Sequence, residues 1–266
     1  MTPSRISESV LEPSSDFNTI AGEFLGPEAL AAAGRKKDFT LSLETNDMSR
    51  EQLHDIYQRL LDFFGPQHWW PGETPFEIIV GAILTQNTNW TNVAKAIANL
   101  QTADCLEPDR LHTLDLAEIE TLIRPAGYFR LKAKRLRNFT QWLFDEYDGD
   151  LARLDQIDTQ RLREELLSIS GIGPETADSI LLYALNRPVF VVDTYTARIA
   201  VRHGLIDPEL TYQTLQDLFM YNLESDAAFF NEFHALLVMT GKDFCKPRPK
   251  CAGCPLEPLP HSIESQ

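Results

Sequence analysis

Between residues 159 and 200 the chain passes from one helical apolar stripe to another across a short glycine-containing break, and that pattern restricts the fold more than any other stretch. Leu162, Leu166, Leu167 and Ile169 fall at helical spacing, Gly171 and Gly173 interrupt them, and Ala177, Ile180, Leu181 and Ala184 resume the stripe after Pro174. Proline suits the first helical position, where a missing N–H loses no intrahelical partner, and the glycines permit positive φ and the close approach of another backbone. A Gly-x-Gly turn opening a helix presents unpaired N–H groups and the positive end of the helix dipole, which together seat a phosphate. An ordinary corner between two helices would use the same residues. Val189-Phe190-Val191-Val192 follows, and a carboxylate, Asp193, arrives directly after it. Alternating runs stay shorter than a few residues throughout, so the expected fold class is all-α.

The 266 residues, 43% of them hydrophobic, suffice for one large or two small cores. Apolar runs stay below the length of a membrane span and the amino terminus has no charged-then-apolar signal pattern, so no membrane partner and a cytoplasmic location are expected. A formal charge of −15 argues against indiscriminate coating of nucleic acid. Charge is unevenly spread, however: Arg124, Arg130, Lys132, Lys134, Arg135 and Arg137 form one basic run, and Lys242, Lys246, Arg248 and Lys250 a second. A basic face on an acidic body suits a DNA enzyme, and a solvated helix face accounts for either run taken alone.

The hairpin and the Val192-Asp193-Thr194 beyond it resemble the signature of the helix-hairpin-helix superfamily of DNA glycosylases. The resemblance implies a two-lobed helix-hairpin-helix fold with a C-terminal cysteine loop. A helical barrel over residues 67–187 would carry the hairpin, and a second lobe would join 48–66 to 188–266, with DNA bent across the cleft between them. Residues 1–47 read as a mobile extension of little sustained periodicity. From Met48 a helical stripe begins, with Ser49 and Gln52 spaced as a capping box.

Asp193 is the candidate catalytic residue. When an N-glycosidic bond breaks, positive charge builds on the sugar, and a buried carboxylate can stabilise it and orient or deprotonate the attacking water. The same side chain can cap the helix starting at Thr194, and the two roles are compatible. Bifunctional members of the family place a lysine in the hairpin helix, where its amine attacks the sugar. Here that position is Glu175, which cannot form a Schiff base, so hydrolysis without lyase action is expected. Glu175 also complements the helix dipole.

Glu175, the Ala177-to-Leu181 run, the Asp193-x-Tyr195 pair and the Trp69-Trp70-Pro71 sequence look like the 3-methyladenine glycosylase III subgroup of the endonuclease III branch. An alkylated purine carries positive charge, and aromatic faces bind such a base by stacking and cation–π attraction. Trp69, Trp70 and Pro71 on one side and Trp90 on the other are the expected walls of the base pocket, with Glu175 and Tyr195 beside it. Tryptophans near a turn also serve as core anchors. Tyr195 or His234 could hydrogen-bond base or sugar, a structural role being the plainer one for His234. The resemblance places Gln86 at the position that fills the gap left by the flipped nucleotide. It assigns DNA contacts to Gly171, Gly173, Thr176 and Lys132, the last within a pattern similar to Gly-x-Tyr-x-x-Lys-Ala.

Cys245, Cys251 and Cys254 crowd one short segment and read as metal ligands rather than a secreted disulfide framework. Endonuclease III relatives close a [4Fe–4S] site with a fourth cysteine, where this chain has Pro260 and, one residue on, His261. A [4Fe–4S] cluster is the expectation, its fourth position taken by His261 or by an outside ligand, with zinc or an empty loop as the alternatives. Cys105 reads as a buried apolar residue.

The function expected from the resemblance is a monofunctional, monomeric DNA glycosylase that excises alkylated purines such as 3-methyladenine from damaged double-stranded DNA in base excision repair, nucleoid-associated in a prokaryote. The rivals are an endonuclease III-like enzyme for oxidised or mismatched pyrimidines and a silent hairpin module that binds DNA without catalysis.

Overall fold

The computed structural model describes residues 43–206 and 211–262, so the extension proposed for residues 1–47 lies outside them apart from its last residues. Helices and loops make up the described residues, and no strand forms among them. The chain divides into two compact units. One spans Trp70–Arg187, and the other joins residues 43–69 to 188–262.

In the first unit, helix α2 (Pro75–Thr85) is the central element. Thr74 caps it through a hydroxyl that accepts the Glu77 N–H at 3.1 Å, and Pro75 occupies the first turn. Ile79, Val80, Ile83 and Leu84 are fully buried, each contributing about 1.5–3 kcal/mol of apolar burial. Around it pack α3 (Trp90–Thr102) and α6 (Phe129–Tyr147), α6 in turn holding the short helices α4 (Pro108–Thr113) and α5 (Leu116–Leu122). Asn89 caps α3, and Asp115 and Glu118 form a reciprocal capping box on α5.

The predicted hairpin joins α7 (Thr159–Ser168) to α8 (Pro174–Ser179), which also packs on α2. Gly171 has φ +98°, as the turn requires, whereas Gly173 at φ −95° does not use its freedom. The helix after Pro174 is not uniform: its second half, Ile180–Ala184, widens to a π-turn. The Arg163 guanidinium ties the two helices together by donating to both oxygens of the fully buried Asp178, at 2.6 and 3.0 Å.

In the second unit, α1 (Leu43–Phe64) packs against α10 (Tyr212–Asn222) and α11 (Ala227–Asp243), and α9 (Thr194–Arg202) lies on α11. Helix α1 starts before Ser49, so the capping box expected there is interior to the helix. Val189–Val192 is buried but extended, and side chains rather than a sheet partner satisfy Phe190: Gln216 donates to its carbonyl at 2.7 Å and its N–H meets Met220 Sδ at 3.2 Å. Phe190 stacks on Phe219 at 4.0 Å and 4°, which anchors the segment directly ahead of Asp193.

Candidate active site

Asp193 is 5% exposed and caps α9. Its Oδ1 accepts the Thr196 N–H at 2.8 Å and the Thr196 hydroxyl at 2.9 Å, while Oδ2 stands 3.6 Å from Nε2 of His234 on α11. Burial pushes the carboxyl toward its neutral form, but His234 and the two Thr196 donors outweigh burial and hold it below the ordinary carboxylate range. A buried aspartate that stays ionised can face a developing cation. Tyr195, also buried, lies against Gly241, where any Cβ would fall 2.2 Å from the Tyr195 ring, and the Arg198 guanidinium sits 5.0 Å over that ring. Tyr195 is therefore packed into the core of its unit rather than presented as an open pocket wall.

The hairpin of the first unit carries a second cluster. Gln86, in the loop after α2, donates through Nε2 to the Gly171 carbonyl at 3.1 Å and to the Thr176 hydroxyl at 2.8 Å, and its Oε1 accepts from Arg135 of α6. Both ends of the amide are thus engaged by the hairpin and its neighbour. Arg135 also packs under the turn, since a Cβ on Gly171 would lie 2.4 Å from its Cγ. By contrast, a Cβ on Gly173 would meet nothing within 4 Å, and the exposed α8 amino terminus faces open space there. Glu175 occupies the first turn of α8 and is half-buried.

Lys132, expected to contact DNA, is a correction. It is 1% exposed, and its amine donates to the Ala126 carbonyl at 2.8 Å. Burial, followed by the nearby Arg135, lowers its pKa to about 8. Its work is to close the turn ahead of α6, where Gly127 and Tyr128 both have positive φ. Arg137 is also engaged internally, on the His112 and Leu114 carbonyls. Arg130 and Lys134 are the exposed members of the run on this helix, and Tyr128 stands beside them 70% exposed.

The tryptophans do not form two parallel walls. Trp70 meets Trp90 edge to face, with centroids 5.4 Å apart at 85°, and stacks at 5.0 Å and 29° on Tyr183. An edge-to-face pair leaves no slot for a base between its rings, so opening one requires an indole to turn. The pair lies against Gly81 of α2, where a Cβ would stand in ordinary contact, 3.4 Å from the Trp70 indole nitrogen and 3.5 Å from Trp90. Trp69 belongs to the other unit, and Pro71 is half-buried. Tyr183 was not foreseen, because its place depends on the π-turn, and the apolar periodicity of the segment gives no sign of the widened turn.

Cys245, Cys251 and Cys254 line one pocket in the second unit, together with His203 and His261. The Cys245 sulfur accepts from Arg202 at 3.2 Å, and burial raises the pKa of the Cys251 and Cys254 thiols above the ordinary range. The exposed His261 turns Nδ1 to the Leu259 carbonyl at 2.8 Å. The three cysteines thus share one pocket. A closed ligand set is not formed, since no three Cys, His, Asp or Glu converge to hold a metal ion among the described residues. Cys105 is half-buried and its thiol faces the Ala103 carbonyl at 3.1 Å.

The family model of the HhH-GPD superfamily of base excision DNA repair proteins matches residues 80–224, a span that includes the hairpin, the extended segment and Asp193. The chain belongs to this superfamily. It is a DNA glycosylase of base excision repair, in the endonuclease III-like branch. A putative DNA repair glycosylase of Methanocaldococcus jannaschii, MJ1434, is 48% identical over 209 residues, covering 78% of this chain and 94% of that protein. Endonuclease III of Sulfolobus acidocaldarius is 32% identical over 181 residues, covering 67% and 78%. The crystal structure of H. pylori 3-methyladenine DNA glycosylase (MagIII) bound to 1,N6-ethenoadenine superposes with a TM-score of 0.62 at 29% identity, covering 73% of this chain and 97% of that one. Members of the superfamily are base excision DNA repair proteins, and no described helix is long and apolar enough to cross a membrane.

Proposed function

We propose that this glycosylase removes alkylated purines by hydrolysis alone. The observation that carries the monofunctional reading is Glu175: the first turn of the hairpin helix holds a carboxylate, and a carboxylate cannot form the imine that strand cleavage requires. The buried, ionised Asp193 then acts on water and on the positive charge that grows at the sugar as the base departs. A cationic base is already a good leaving group, so stacking on a tryptophan face freed when the Trp70 or Trp90 indole turns, together with activation of water, suffices. The structural likeness to a 3-methyladenine glycosylase that holds 1,N6-ethenoadenine supports a modified purine as substrate.

DNA contact is assigned to the exposed parts of the hairpin at Gly171 and Gly173, with Gln86 entering the duplex once it leaves the hairpin. The three cysteines are assigned to an iron–sulfur centre, and no step of hydrolysis passes through it. Iron and acid-labile sulfide in protein purified without oxygen are the expected finding, and zinc or no metal would replace that assignment.

Incubation with duplexes carrying 3-methyladenine, thymine glycol or uracil tests the function, with free base and strand breaks scored before and after alkali. Release of the methylated purine, with breaks only after alkali, is the expected result. Preferential release of thymine glycol with immediate breaks would establish the endonuclease III-like reading, favoured by the 32% identical relative of that name. Tight DNA binding with no base released would leave a silent binding module.

A further inference from the structure

His234 is buried, titratable and aimed at the carboxylate, yet the hydrolysis outlined above gives it no task. We propose that His234 is a positioning residue for the reaction: its Nε2 fixes the second oxygen of Asp193, so that the carboxylate meets the sugar and the attacking water in a single orientation. The proposal rests on Asp193 being the water-activating group.

Three features of the second unit carry it. The two Thr196 donors both fall on Oδ1 of Asp193, and a carboxylate gripped by one oxygen can still swing the other. That other oxygen is the one His234 faces, at 3.6 Å, an ion-pair separation just beyond a direct hydrogen bond, with each side chain only 7% exposed. The imidazole itself is oriented from behind. Phe190 packs edge-on to it at 6.4 Å and 80°, and Phe190 is in turn stacked on Phe219. A nucleophile or base held by a second group that is itself oriented by a third is the arrangement that active sites use to fix a reacting side chain.

Charge points the same way. Among the described residues, the charged and titratable groups that bear on Asp193 are His234, from α11, and Arg198, from its own helix α9, with Tyr195 beside the arginine. Arg198 is committed elsewhere, donating to the Cys245 carbonyl at 3.0 Å. His234 and the Thr196 donors are what outweigh burial at Asp193, so without the imidazole the buried carboxylate loses a principal reason to stay charged. A histidine that merely filled the core would need no carboxylate opposite it.

The test compares His234→Leu, His234→Gln and His234→Asn with wild type and Asp193→Asn. One readout is single-turnover base release, on whichever duplex of an alkylated-purine, oxidised-pyrimidine and uracil panel the wild type excises. The other is the carboxyl NMR titration of Asp193, assigned by its loss in Asp193→Asn. In His234→Leu, Asp193 should titrate at higher pH than in wild type, and the rate should fall about tenfold to a hundredfold with DNA affinity unchanged, the loss of one charge-assisted contact. A glutamine amide nitrogen reaches about where Nε2 stands, so His234→Gln should recover most of the rate. His234→Asn, too short to reach, should not, and it keeps the test open if the leucine variant fails to fold. An Asp193 titration unmoved in His234→Leu and His234→Asn, with wild-type rates, overturns the proposal. Full activity of Asp193→Asn would instead overturn the role given to Asp193, and the titration alone would still decide whether His234 governs the carboxylate.

Discussion

Replacing Lys132 by methionine should change how stability depends on pH while leaving DNA binding alone. The wild-type amine is 1% exposed and its pKa is lowered from 10.5 to about 8, so at neutral pH the folded chain keeps an ammonium in a site that disfavours it. At about 1.4 kcal/mol per pH unit, that displacement makes the charged form ~3 kcal/mol less welcome in the folded state than in the unfolded one. Between pH 8 and 10.5 the unfolded chain binds more protons than the folded one, and wild-type stability therefore rises with pH across that window. The neutral amine can still donate to the Ala126 carbonyl, whereas methionine leaves this acceptor without its donor, at a cost of about 1–3 kcal/mol. The two effects nearly cancel at pH 7, where the variant should match the wild type to within ~2 kcal/mol, and by pH 10 the wild type should have gained about 2–3 kcal/mol relative to the variant. Urea unfolding of both proteins at intervals from pH 7 to 10 measures the difference, and groups common to both chains cancel in it. A difference that stays flat over this range would refute the burial of a charged amine. Filter binding supplies the companion measurement: Lys132→Met should leave the salt dependence of DNA affinity unchanged, and Lys134→Met, exposed on the same helix, should reduce its slope by about 0.9 if that lysine meets a phosphate.

Removing the carboxylate of Asp178 by substitution with alanine should destabilise the protein by about 3–5 kcal/mol in denaturant titrations, because the two-pronged Arg163 partner is left in a buried site without its counter-charge. The two hairpin glycines should separate stability from binding: Gly171→Ala forces a Cβ against Arg135 at φ +98° and should lower the melting temperature, whereas Gly173→Ala should fold normally and bind DNA more weakly. Thr176→Val removes one acceptor from the Gln86 amide, so a Gln86 that must leave the hairpin to enter DNA should do so faster, seen as a quicker rise of 2-aminopurine fluorescence next to the lesion in stopped flow.

Local chemistry explains what the sequence disclosed and what it withheld. The hairpin was legible because glycine and proline act through their own backbone restrictions: Pro174 opens α8 and Gly171 takes positive φ wherever the rest of the chain lies. The N-cap role of Asp193 was legible for the same reason, since it depends on residues three apart. The basic run of α6 was misleading. Lys132, Arg135 and Arg137 are indistinguishable from Arg130 and Lys134 in charge, and only the tertiary fold turns the first three onto the Ala126, Gln86 and His112 oxygens. The aromatic types of Trp70 and Trp90 were legible, but their edge-to-face geometry and the stacking of Trp70 on Tyr183 depend on tertiary packing that no periodicity reports.

The same distinction separates Thr196 from His234. Thr196 lies within one turn of Asp193, so helix geometry alone brings its N–H and hydroxyl to Oδ1. His234 is forty-one positions further along, on a helix whose apolar stripe would accept almost any large side chain at that place. What gives the histidine its meaning is the packing of α9 on α11, two helices that both carry buried apolar side chains. Burial of Asp193 would by itself favour a neutral acid, which could neither stabilise a sugar cation nor accept a proton from water. The hydrophobic packing that hides the carboxylate also delivers the imidazole that keeps it ionised, so the chemistry of this site depends on a pairing of helices and on no single motif.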